Sequence, residues 1–146
     1  DHGDPRGTLR AAAGERLRAF DIGAADVPDL VDELPVLALA AATAEGTSRF
    51  TGLAELRVKE SDRVQAIAEL LSSLSVPCDI DGDALHITGV DALCGRPDLH
   101  HPDHRLALCA ALAWRAQGLD LPASLPTAEV SYPDFVGALE PLTRRP

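Results

Sequence analysis

Between Asp62 and Thr88 the chain is patterned first as a helix and then as a hairpin, and this succession narrows the available folds more than any other stretch. Val64, Ile67, Leu70, Leu71 and Leu74 fall on one stripe at helical spacing, so a helix over about Asp62 to Leu74 buries one face and leaves its N-terminus outward. Cys78 to Ile80 and Leu85 to Thr88 then flank Asp81-Gly82, a hairpin turn signal. Upstream, Gly7 to Arg10 reads as a strand and Leu17 to Ile22 as a second short extended piece. A helix follows Pro28, runs to about Ala44 and ends at Gly46. Gly46 to Leu53, with Thr47, Phe50 and Thr51, reads as a strand. The pattern is βαβαββ over about residues 7–89, an α/β fold. About residues 90–146 begin a second, partial unit: a loop over Arg96 to Pro102, a helix after Asp103, a strand near Leu119 to Leu121 and a last helix from Pro133 to Leu139. With 146 residues and 46% hydrophobic content, one core is the expectation.

Just before the striped helix lies the run Arg57-Val58-Lys59-Glu60-Ser61-Asp62-Arg63, with three cations and three carboxylate or hydroxyl acceptors close together. Lys59 is the single lysine among 13 basic residues, so arginine does the ordinary surface work and the one ammonium invites a specific explanation. A solvated helix start is one reading, since Ser61 or Asp62 is a normal N-cap. With Ser61 as cap, however, Arg63 lies in the first turn, where a cation opposes the helix dipole. An external anion at that N-terminus resolves the conflict, because free N–H groups and a guanidinium can both reach it. Asp103-His104-Arg105 repeats the arrangement ahead of Leu106, Leu108, Cys109, Leu112, Ala113 and Trp114, a helix expected to stop at Gly118. Two helix starts, each with an arginine, suggest one shared anion pocket. Composition alone does not make them converge.

The formal net charge of −10 argues against nucleic acid and anionic membranes as partners, since both call for a basic surface. An acidic protein that binds an anionic ligand must gather its few cations, as these two motifs do. Val36 to Ala44 is apolar but short for a membrane span and reads as a buried helix; no basic region followed by an apolar signal segment opens the chain. Cys78, Cys94 and Cys109 are widely spaced and odd in number, as expected of reduced thiols in a cytoplasmic protein. Asp98, His100, His101, Asp103 and His104 carry metal-ligating groups, but Pro102 interrupts their spacing and no distant second pair accompanies them. No metal and no cofactor is expected. The absence of methionine and the start at Asp1 lead us to expect a part of a longer translation product.

Arg57-Val58-Lys59-Glu60-Ser61-Asp62-Arg63, Asp103-His104-Arg105, Val31-Asp32-Glu33-Leu34-Pro35 and Ser131-Tyr132-Pro133-Asp134-Phe135 occur in an order that resembles the C-terminal part of the 5-enolpyruvylshikimate-3-phosphate synthases, from about Gly7 to Leu142. The lysine-centred run looks like this branch and unlike the related transferases that act on a UDP-sugar. The resemblance implies an inside-out α/β domain of βαβαββ units, helices inside and sheets outside, incomplete here. The active site would lie in a cleft shared with an N-terminal domain missing from this chain. It implies transfer of the enolpyruvyl group of phosphoenolpyruvate to the 5-hydroxyl of shikimate 3-phosphate, by addition and then loss of phosphate, a step of the shikimate pathway. By the same resemblance Asp32 is the base candidate at the sugar-like hydroxyl and Glu60 the proton-transfer group near phosphoenolpyruvate. Lys59, with Asp32, contacts shikimate 3-phosphate, while Arg63 and Arg105 hold phosphoenolpyruvate. Taken by itself, Asp32 is a carboxylate favoured by a helix N-terminus. Val130, preceded by Glu129, departs from the lysine of many family members and removes one expected anion contact. Three readings remain open: a portion of an enolpyruvyl transferase that is inactive alone, a self-contained anion-binding module, and a structural remnant.

Overall fold

A computed structural model describes residues 7, 8, 10, 12, 14–57 and 62–143. The order of elements is β1 (Asp21–Ile22), α1 (Val27–Leu30), α2 (Leu34–Ala41), β2 (Thr47–Phe50), α3 (Ala54–Arg57), α4 (Arg63–Ser73), β3 (Cys78–Asp81), β4 (Ala84–Thr88), α5 (His104–Ala116), α6 (Pro126–Glu129) and α7 (Phe135–Thr143). The first eight run strand, two helices, strand, two helices and two strands. They close a four-stranded sheet in the order β1-β2-β4-β3, with β1 parallel to β2 and the other pairs antiparallel.

Strand alternation sets the layers. Ile22, Ser48, Phe50, Leu85 and Ile87 are buried on the inner face, while Asp21, Thr47, Arg49, Asp79 and Thr88 stand in solvent on the outer one. Ser48, the one buried polar residue among the described residues, accepts the Phe20 N–H through its hydroxyl at 3.1 Å. Against the inner face lie α2 and α4, and α5 packs on both, so helices are inside and the sheet is outside. The stripe read from the sequence holds: Val64, Ile67, Leu70, Leu71 and Leu74 are all buried in this core. A smaller cluster of Ala107, Ala111, Leu125, Ala128 and Val136 joins the other face of α5 to α6 and α7.

Several elements differ from the sequence expectation. The helix proposed from Pro28 to Ala44 is two helices, because Pro35 lacks the N–H that would bond back to the Val31 carbonyl and instead stands in the first turn of α2. Asp32 therefore sits in the break rather than inside a helix. Gly7, Thr8 and Arg10 have no regular structure, and Leu9 lies outside the described residues; the alanines and glycines around them are poor strand formers. No strand forms at Leu119 to Leu121, because the end of α5 claims its carbonyls: the Trp114 indole donates to Asp120 O at 2.7 Å and Arg115 to Leu119 O at 3.1 Å. The hairpin turn is Gly82-Asp83, one residue later than expected, with a φ of 61° at Gly82 and Asp81 paired to Ala84. The short helices α3 and α6 were not anticipated.

Candidate functional site

Two helix starts meet at one cleft. Asp62 caps α4 through a hydrogen bond from the Gln65 N–H (2.9 Å), and Asp103 caps α5 through one from the Arg105 N–H (2.9 Å). The cap of α4 is thus Asp62 rather than Ser61, and Arg63 is its first helical residue. Because α4 and α5 pack together, both first turns open on the same cleft, of about 620 Å³, lined by Asp62, Arg63, Gln65, Glu69 and by His101 to Arg105.

Asp32, from the break between α1 and α2, reaches the two arginines. Its Oδ1 lies 2.9 Å from a terminal nitrogen of Arg105 and 3.8 Å from one of Arg63. Arg63 also faces Asp103 Oδ2 through Nε at 3.5 Å. The two arginine side chains are 16% and 24% exposed and that of Asp103 14%, whereas that of Asp32 is 52% exposed. Arg63 is therefore held from behind by Asp103, and the carboxylate between the two arginines stands at the open side. Physically, a carboxylate oxygen shared by two guanidinium groups shows where an anionic oxygen of a ligand would be gripped.

Of the residues expected at a site, the structure brings Asp32, Arg63 and Arg105 together. Lys59 and Glu60 lie outside the described residues, as does Ser61. Arg57, at the start of the run, is structural: it pairs with Asp62 at 3.3 Å and donates to Gly82 O at 2.7 Å, tying the helix start to the β-hairpin. Sequence reading missed Glu69, Gln65 and the second role of Asp103. Asp62, Gln65 and Glu69 recur at helical spacing, a signal that would have placed all three on one wall. Among the described residues no group of three metal-ligating side chains is arranged to hold an ion. On α5, just behind Arg105, the Cys109 thiol is pushed up to about 12 by burial and then by the Asp103 carboxylate, so it is an inert core thiol rather than a nucleophile. No helix of the described residues is long and apolar enough to cross a membrane.

Residues 6–139 match the family described as EPSP synthase (3-phosphoshikimate 1-carboxyvinyltransferase). A 3-phosphoshikimate 1-carboxyvinyltransferase of Synechococcus sp. (strain JA-3-3Ab) is 46% identical over 143 residues, covering 96% of this chain and 32% of that protein. The protein of that name in Acidiphilium cryptum is 42% identical over 137 residues, with 92% and 30% covered. A solved EPSP synthase from Acinetobacter baumannii superposes with a TM-score of 0.69 at 32% identity, over 88% of this chain and 31% of that one. The chain spans about a third of the length of the relatives it matches.

Proposed function

The chain belongs to the EPSP synthase family, and from that premise we propose that it supplies part of the active site of an enzyme transferring the enolpyruvyl group of phosphoenolpyruvate to the 5-hydroxyl of shikimate 3-phosphate. The observation that carries this reading is the convergence of Arg63 and Arg105, from two helix starts, on one oxygen of Asp32. Residues 7–89 act in it as one βαβαββ unit and residues 90–146 as part of a second, completed by protein outside this chain. Free thiols and the acidic surface accord with a cytoplasmic location.

The chemistry asks for two opposite proton transfers. In addition, the 5-hydroxyl oxygen bonds to C2 of phosphoenolpyruvate, gives up its proton to a base, and a proton is added at C3. In elimination, the bond from C2 to the phosphate oxygen breaks, phosphate leaves with the electron pair, and C3 returns a proton. Arg63 and Arg105 hold the carboxylate and phosphate of phosphoenolpyruvate in the place that the Asp32 oxygen marks, and Asp32 is then released toward the hydroxyl as base. Glu60 exchanges the proton at C3, and Lys59 holds shikimate 3-phosphate. Half of such a cleft does not orient both substrates, so the chain by itself is expected to be inactive.

A competition experiment tests the reading. Asp32→Ala removes the internal carboxylate from the two arginines, so sulfate affinity of the chain rises. In an enzyme completed by the remaining protein, the same change lowers turnover about 10²-fold or more. Weaker sulfate binding in Asp32→Ala, or unchanged turnover, overturns the assignment. Phosphate release from the 146-residue chain alone, dependent on both substrates, overturns its expected inactivity.

A further inference from the structure

In His101-Pro102-Asp103 the proline has no N–H, so the first backbone donor after the imidazole belongs to Asp103. That N–H donates to Nδ1 of His101 at 3.0 Å, from residue i+2 to side chain i, the pattern that asparagine and aspartate use in Asx turns. An accepting Nδ1 requires the neutral imidazole with its proton on Nε2. Asp103 is the hinge of the cleft: one of its oxygens accepts the Arg105 N–H and starts α5, and the other faces Arg63 Nε.

We propose that His101 is a positioning residue, whose neutral ring latches the Asp103 backbone and thereby holds Arg63 and the start of α5 in the geometry that grips an anion. The proposal rests on the anion-binding reading above. The ring lies between α4 and the loop, lining both the cleft and a cavity of about 190 Å³ behind it. The charged or titratable groups around it are Asp62, Arg63 and Glu69 from α4, Asp98 from the loop, and Asp103, His104 and Arg105 at the start of α5. Without an acceptor at Nδ1 the Asp103 N–H loses its partner, and the carboxylate that caps α5 and faces Arg63 is no longer fixed, so anion binding weakens.

The test uses the 146-residue chain, sulfate as the probe, and NMR of the Asp103 amide. His101→Asn, whose Oδ1 can accept the same amide, keeps the sulfate affinity of the unmodified chain. His101→Ala loses about two- to tenfold in affinity, the worth of one neutral hydrogen bond, and shifts the Asp103 amide resonance. Full affinity in His101→Ala overturns the proposal, as does a His101→Asn that binds sulfate no better than His101→Ala. Absence of sulfate binding in the unmodified chain overturns the anion-site reading instead, and the Asp103 amide then still reports the latch. An Asp103 amide that His101→Ala leaves unmoved overturns the latch alone.

Discussion

Arg49 and Arg63 are the same side chain in opposite settings. Arg49 stands on the solvent face of the sheet, paired in register with Asp21 on one side and His86 on the other, in a row that continues to Asp79. Arg63 is nearly buried, faces two carboxylates, and occupies the first position of a helix whose dipole disfavours it. Alternating charges on a strand face follow from the pleat and need no ligand. A guanidinium held at a helix start, with a second one aimed at the same oxygen, satisfies no rule of folding, and that excess distinguishes a site from decoration.

The largest expected effects lie in the charged run. In an enzyme completed by the remaining protein, Lys59→Ala and Glu60→Ala should each lower turnover, the latter by about 10²–10⁴-fold if Glu60 moves the proton at C3. Arg49→Ala should leave turnover within about twofold. Turnover near normal in both run variants would make that run ordinary surface, and the contrast with the sheet face would then rest on the arginines alone.

Thiols report on the same two regions from within. Cys109, behind the cleft, is pushed from 9.0 up to about 12 by burial and then by Asp103; Cys78, on β3, is raised by burial and then by Asp79. A thiol whose folded value lies above its unfolded one contributes stability that is fully present below pH 9 and is lost as pH rises toward 12. For Cys109 this is on the order of 4 kcal/mol at the alkaline limit. Denaturant melts from neutral to alkaline pH should therefore fall less steeply in Cys109→Ala than in the unmodified chain. Iodoacetamide at mildly alkaline pH should label the exposed Cys94 first and Cys109 only on unfolding. Equal reactivity of the two would mean that the interior behind the cleft is open to water.

Anion binding separates the regions by a smaller margin. Arg63→Ala and Arg105→Ala should each weaken sulfate binding by at least about tenfold, as expected for loss of a hydrogen bond to a charged group. Arg49→Ala should change it by less than about twofold. A similar loss in all three would assign the effect to net charge rather than to the cleft.

The two regions also differ in how far the sequence discloses them. The stripe of α4 and the alternation on β2 and β4 are local patterns, so burial follows directly from spacing. Both arginines stood out because each breaks a local preference, but their meeting depends on α4 packing against α5 and on Asp32 lying in a helix break, which Pro35 alone hinted at. Asp103 was visible as a cap and invisible as a clamp, since Arg63 lies forty residues away in sequence. The missing strand at Leu119 to Leu121 turned on an indole and a guanidinium taking its carbonyls, a competition no propensity contains.

Stability should separate the regions least, and its sign is informative. Removing Arg63 forfeits two ion pairs, at 3.8 and 3.5 Å, whose worth at a partly open site is about 0–1 kcal/mol each. It also relieves a cation at a helix N-terminus, a gain of about 0.3–1 kcal/mol. Asp103 keeps the Arg105 N–H and the favourable end of α5, so no carboxylate is stranded. Arg63→Ala should thus shift the unfolding free energy by less than about 1 kcal/mol. For Arg49→Ala, on the solvent face of the sheet, about 0.5 kcal/mol is the ceiling. Urea unfolding of the two variants beside the parent measures both. A loss in Arg63→Ala of several kcal/mol would show that this arginine is structural, and the difference between helix start and sheet face would then be one of burial rather than of function.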